Sequence, residues 1–231
     1  MNKRNNCVSK FIADSLFDRK LFKLGLMDMW NHIQSNNLSS QLPYHNNNHM
    51  YRVAQLALTL LHEEPAFQGV NDTTKREYEQ DIIIACLWHD FGHSGGVKTD
   101  AENIEYAVLM MCSYIQHTMI IGRHQMDCIV DLIRCTQFPF DIYPRTFLQR
   151  VIRDADLLYT FDNDTGPIVE GLYLELKPKL PEGWTFQRFL EAQTDFHNGV
   201  ELFTETGKHI HATLKERIIK AQIEYGQSLE V

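Results

Sequence analysis

Residues 74–90 read Thr-Lys-Arg-Glu-Tyr-Glu-Gln-Asp-Ile-Ile-Ile-Ala-Cys-Leu-Trp-His-Asp. The first half is polar and the second half almost wholly apolar. A stretch that becomes apolar all round predicts a helix running into a core. It ends on His89 and Asp90, and His89 shares a face with Ile82 and Cys86. Outward from this segment, apolar residues recur at helical spacing. The pattern predicts helices over Phe11 to Ile33, Tyr44 to Glu64, Thr74 to His89 and Thr99 to about His117. It continues over His124 to Thr136, Pro144 to Tyr159, Gly166 to Leu176, Trp184 to Phe203 and Lys208 to Tyr225. Thr99 and Glu102 fit a capping box, and Pro144 suits a first helical turn. Sustained strand alternation is missing, so the expected fold is all-α with eight or nine helices.

Composition fits a folded chain. Of 231 residues, 44% are hydrophobic and 23% charged, which excludes wholesale disorder. The net charge of -8 argues against a nucleic-acid partner, which calls for a basic face. The longest apolar run, Ile82 to Trp88, falls far short of the roughly 20 residues of a bilayer span, so no membrane partner is expected. The basic start, with Lys3 and Arg4, has no apolar run behind it and does not read as a secretory signal. Cys7, Cys86, Cys112, Cys128 and Cys135 form no CxxC pair and read as reduced thiols of a cytoplasmic protein. Short polar stretches at 36–41, 69–74 and 162–166 read as loops. The expected organisation is a single domain over 1–231, with an N-terminal helix in 1–40, a catalytic core in 41–205 and a C-terminal helix in 206–231. The stripe Phe17, Leu21, Leu24 and Trp30 reads as core or as a homodimer face.

Four places put histidine or aspartate where a core would prefer carbon. His49 heads the stripe Val53, Leu56, Leu60. His89 and Asp90 end the most apolar helix. His117 and His124 flank Gly122. Asp154 and Asp156 lie within 148–159, where helical phase gives both of them apolar neighbours. An unpaired buried carboxylate costs several kcal/mol, and a cation removes that cost. Imidazole and carboxylate together suit divalent transition metals. The bland alternative is a set of satisfied core histidines, with Arg150 or Arg153 pairing Asp154 or Asp156. Four such residues on separate helices favour the metal.

These residues carry a family resemblance. Tyr44-His45-Asn46-Asn47-Asn48-His49 is similar to the YHNxxH signature of the cyclic-nucleotide phosphodiesterase branch of the HD-domain metal-dependent phosphohydrolases. His89-Asp90-Phe91-Gly92-His93-Ser94-Gly95 resembles its HDxxHxG segment, and Ala155-Asp156-Leu157 its A-D-L segment. Ile133 to Thr136 and Gln193 to Phe196 resemble its I-x-x-T and Q-x-x-F stretches. The resemblance covers roughly residues 40–205 and implies an HD/phosphodiesterase-like helical domain. It implies two divalent ions (Zn, Mn, Mg, Fe, Ni or Co). His49, His89, Asp90 and Asp156 would be ligands, with Asp90 bridging, and the alignment on A-D-L selects Asp156 over Asp154. Attack by metal-bound hydroxide would open a small nucleotide, foremost a 3′,5′-cyclic nucleotide, to its monophosphate. His45 would protonate the leaving oxygen, placed one helical turn from His49. His93 would stand near the second metal. Tyr44, Gln193 and Phe196 would contact substrate, Gln193 by hydrogen bonding the base and Phe196 by stacking on it.

The chain is shorter than a full catalytic domain of that branch, and residues 97–106 look closer to HD hydrolases acting on other nucleotides. The alternative activity is therefore an HD-type nucleotidase or (d)NTP phosphohydrolase. A di-iron HD-fold oxygenase would need further histidine ligands, for which His117 and His124 are the candidates against a reading as surface residues. Glu102 reads as the capping-box acid, Glu105 as a partner for a metal-bound water, and Asp154 as a residue behind the ligands or a partner for Arg150 or Arg153. Trp184 and Phe186 read as pocket lining or packing. A binding module that keeps the fold without chemistry is disfavoured by the intact His49, His89, Asp90, Asp156 and His45.

Overall fold

The computed structural model describes the backbone of residues 3–229 and the side-chain surroundings of residues 13–229. The side chains of Lys3, Arg4 and Cys7, noted above, fall outside the described residues. Among the described residues all regular secondary structure is helical and there is no strand. Eleven α-helices stand where eight or nine were expected. They are α1 (Lys3–Leu24), α2 (Met27–Asn36), α3 (Asn47–Glu63), α4 (Pro65–Gln68), α5 (Asp72–Trp88), α6 (Asp100–Thr118), α7 (Arg123–Arg134), α8 (Phe147–Leu158), α9 (Thr165–Leu176), α10 (Phe186–Gly199) and α11 (Glu205–Ser228). Short 3₁₀ turns follow α8 and α9.

The extra elements have local causes. Gly25 adopts φ +74°, a left-handed conformation that glycine tolerates and that ends a helix. It splits the expected Phe11 to Ile33 helix into α1 and α2. Pro65 cannot donate to a continuing helix, so it ends α3 and opens the single turn of α4. Pro144 does not open α8. A Thr146–Gln149 capping box does, because it satisfies free amides that a proline at 144 cannot. The Thr99–Glu102 capping box opens α6 as expected.

Helix α3 lies at the centre, packed on α5 along one side and α8 along another. Ile82 through Trp88 are fully buried there. Phe17, Leu21, Leu24 and Trp30 are buried in the same core, so that stripe is core and offers no dimer face. A smaller apolar cluster, Val169, Tyr173, Phe189 and Leu190, joins α9 to α10. No helix among the described residues is long and apolar enough to cross a membrane. The described cysteines, Cys86, Cys112, Cys128 and Cys135, are free.

Candidate metal centre and cleft

The start of α3, the end of α5 and the last turn of α8 meet at one point. Asn46 caps α3, its side chain accepting hydrogen bonds from the Asn48 and His49 amides. His49 therefore sits in the first turn and faces inward, fully buried. His89 and Asp90 form the turn just beyond α5. That turn is fixed from outside by buried Asn37, whose Oδ1 accepts from the Gly92 amide at 2.7 Å. Gly92 adopts φ +71° and lies against the Tyr106 ring, where a Cβ would not fit. This tight reversal leaves His89 buried beside His49 and sets His93 at the cleft wall.

Four side chains converge. His49 Nε2 lies 3.0 Å from Asp90 Oδ2, 3.3 Å from Asp156 Oδ1 and 3.2 Å from His89 Nε2. His89 Nε2 lies 2.9 Å from Asp90 Oδ2 and 3.6 Å from Asp156 Oδ1. Ligand atoms held about 2.1 Å from one ion are separated by about 3.0–3.4 Å at octahedral or tetrahedral angles. His49, His89 and Asp90 therefore carry donors spaced for one divalent cation, and Asp156 approaches the same two imidazoles from the cleft wall. His89 Nδ1 donates to the Cys86 carbonyl at 2.8 Å, which fixes the tautomer that turns the Nε2 lone pair inward. The charges reinforce one another. Burial by itself would lower His49 and His89, but Asp90 and Asp156 outweigh it and both imidazoles are raised. Burial would raise Asp90 and Asp156, and the imidazoles hold both below the usual carboxylate range.

His45 departs from the sequence expectation. It precedes the Asn46 cap, so it lies outside α3 and not one helical turn below His49. Its position is set instead by Glu175. His45 Nδ1 donates to Glu175 Oε1 at 2.5 Å, and the Tyr44 and His45 amides donate to Glu175 Oε2 at 3.1 Å. Burial would raise Glu175, yet the His45 hydrogen bond and the adjoining His93 ring leave it far below its usual value. The close approach of α9 makes this contact. Gly171 packs on the Pro43 carbonyl, with only 2.7 Å left for an added Cβ, and Glu175 lies one turn further along. His93 stacks on His45 with ring centroids 3.8 Å apart. Its Nδ1 lies 3.2 Å from Glu175 Oε1, and its Nε2 lies 3.9 Å from Asp100 Oδ1.

His45, His93 and Glu175 form a second group with the donors to hold an ion. The 2.5 Å contact between His45 and Glu175 is shorter than the separation of about 3 Å between two ligands of one ion. It is a charge-assisted hydrogen bond.

Beside both groups opens a cleft of about 640 Å³. Tyr44, His45, His93 and Asp156 line it together with Phe138, Phe140, Gln193 and Phe196. Trp184 lines it too, whereas Phe186 packs on Tyr173. Buried His197 is a further wall residue. Burial, with help from His211 and Lys215, pushes it down to about 4.

Several candidates lie elsewhere. Asp154 turns away from the cluster and accepts from Thr204 Oγ1 at 2.6 Å and from the Thr204 amide at 2.7 Å. It ties α8 to the start of α11 and pairs with neither arginine. Glu105 forms a two-pronged pair with Arg134 at 2.6 and 2.8 Å on the exposed side of α6. Glu102 serves the Thr99 cap. His117 and His124 are exposed and lie outside the cleft wall. Sequence reasoning missed Glu175. Its signal was a lone acid among Leu172, Leu174 and Leu176, the same anomaly that marked Asp156. No protein-family model matches the chain, and no curated protein matches it.

Proposed function

We propose that the protein is a metal-dependent phosphohydrolase of the HD type that opens a phosphodiester in a small nucleotide, foremost a 3′,5′-cyclic nucleotide. The observation that carries this reading is the pair of adjoining groups beside one cleft: His49, His89 and Asp90 spaced for a cation with Asp156 next to them, and an imidazole fixed by a buried carboxylate. His49, His89, Asp90 and Asp156 would hold the tighter ion, and His93 and Asp100 would face a second. Bound divalent ions supply charge for the phosphate oxygens and lower the pKa of a water so that it can attack at neutral pH.

The remaining work falls to the chain's own residues. Glu175 holds a proton on His45 Nδ1, and Nε2 has no partner among the described residues. His45 can therefore carry a proton at Nε2 toward a leaving alkoxide. The aromatic walls suit a flat base, which Gln193 can address by its amide and Phe196 by its ring.

Lys98 and Lys179 at the cleft wall, with Lys179 Nζ bonded to the Lys98 carbonyl at 2.9 Å, support a second reading in which the substrate carries additional phosphates. The exposed positions of His117 and His124 give no support to the oxygenase reading.

A substrate panel on metal-loaded protein tests the proposal. The expected result is conversion of a 3′,5′-cyclic monophosphate to its monophosphate with no inorganic phosphate released. Preferential turnover of triphosphates would move the assignment to the second reading. Inertness toward every phosphoester in the panel, with metal bound, would refute the hydrolase.

A further inference from the structure

Behind the outer wall of the cleft lies a separate cavity of about 400 Å³. It is bordered by the α7–α8 loop, the end of α10 and residues 200–203, and it shares Phe140 and Phe196 with the cleft. Four aromatic residues stand in its walls: Phe140, Tyr143, Phe196 and Phe203. One charged wall residue is buried. Arg153, on α8, is only 2% exposed.

The guanidinium is held rigidly. Nε donates to the Cys135 carbonyl at 2.6 Å, Nη2 donates to the same oxygen, and Nη2 also reaches the Ile142 carbonyl at 2.9 Å. Its face lies 4.0 Å from the Phe140 ring centroid. Nη1 has no hydrogen-bond partner among the described residues, and no carboxylate among them forms an ion pair with Arg153. The neighbouring acids are committed elsewhere, Asp154 to Thr204 and the Phe203 amide, and Asp156 to the two imidazoles. Glu201, on the cavity rim, is exposed and unpaired with it.

Two carbonyl contacts explain how the loop is anchored. They leave Nη1 without a protein partner in a residue that lines the aromatic hollow. A planar fork held rigidly beside aromatic rings is a means of gripping a carboxylate or phosphate on a flat body. We propose that this cavity binds a small aromatic anion, its carboxylate or phosphate on Arg153 Nη1 and its ring among Phe140, Tyr143 and Phe203. The site is distinct from the metal cluster and stands independently of the hydrolase reading.

Calorimetric titration of the intact protein with benzoate, and with benzamide as its neutral isostere, tests this. Benzoate should bind saturably and benzamide should not. Arg153→Gln should weaken benzoate at least about tenfold, the loss expected for hydrogen bonds to a charged group. Glu201→Gln removes a competing negative charge at the rim and should tighten benzoate about two- to fivefold. Asp156→Asn, in the metal cluster, should leave it unchanged. If Arg153→Gln fails to fold, the Glu201→Gln and Asp156→Asn results decide. Absence of benzoate binding, equal binding of benzamide, no tightening in Glu201→Gln, or loss in Asp156→Asn would each overturn the proposal.

Discussion

At the scale of single residues, the centre is built from polar groups buried where the helical pattern calls for apolar ones. That anomaly made His49, His89 and Asp90 legible in the sequence, whereas only the A-D-L resemblance separated Asp156 from Asp154; each imidazole–carboxylate pair among the four lies within 3.6 Å. Glu175 carries the same anomaly but escaped notice. Its partner stands 130 positions away, and nothing local announces the pairing. His45 was legible as a residue and misread in position, because the Asn46 cap that excludes it from α3 sits within a run of three asparagines. The role of Glu175 yields a prediction. In Glu175→Gln the amide cannot hold the His45 proton with the same charge, so turnover of an alkoxide-leaving diester should fall by about 10²- to 10⁴-fold, the typical loss of general-acid catalysis. A nitrophenyl diester, whose leaving group needs no proton, should lose far less, with metal content unchanged. Equal losses on both substrates in steady-state kinetics would make Glu175 purely structural.

At the scale of elements, the site depends on how closely α9 approaches residues 43–45. Helix α9 itself was legible from its apolar spacing, since it runs over Thr165–Leu176 against an expected Gly166 to Leu176. Its depth was not, because close approach depends on a missing side chain rather than on a pattern. Gly171 provides it. Gly171→Ala places a Cβ 2.7 Å from the Pro43 carbonyl oxygen, a contact relieved only by moving the helix or the loop. Such overpacking costs about 1–3 kcal/mol, and it should pull Glu175 away from His45, so both thermal stability and turnover should fall. Gly199→Ala, where a Cβ meets nothing within 4 Å, should change stability by no more than about 0.5 kcal/mol. Thermal denaturation of the two variants side by side checks the contrast.

At the scale of the whole molecule, three helix termini and one loop carry the donors to a single point, while α3 and α5 supply the dry core beneath it. The all-α class followed from periodicity alone. The number of helices did not, because breaks at Gly25 and Pro65 interrupt stripes that continue on either side. A bound cation would link buried Asp90 and half-buried Asp156 to the two buried imidazoles, and the proposed hydrolase activity rests on it. The most direct measurement is calorimetric titration of Mn²⁺ or Zn²⁺ into chelator-stripped protein, run on wild type, Asp156→Ala and His45→Ala. The account predicts saturable binding by wild type, near-wild-type binding by His45→Ala and loss of the tight site in Asp156→Ala. Equal binding by wild type and Asp156→Ala, or no binding by wild type, would contradict it.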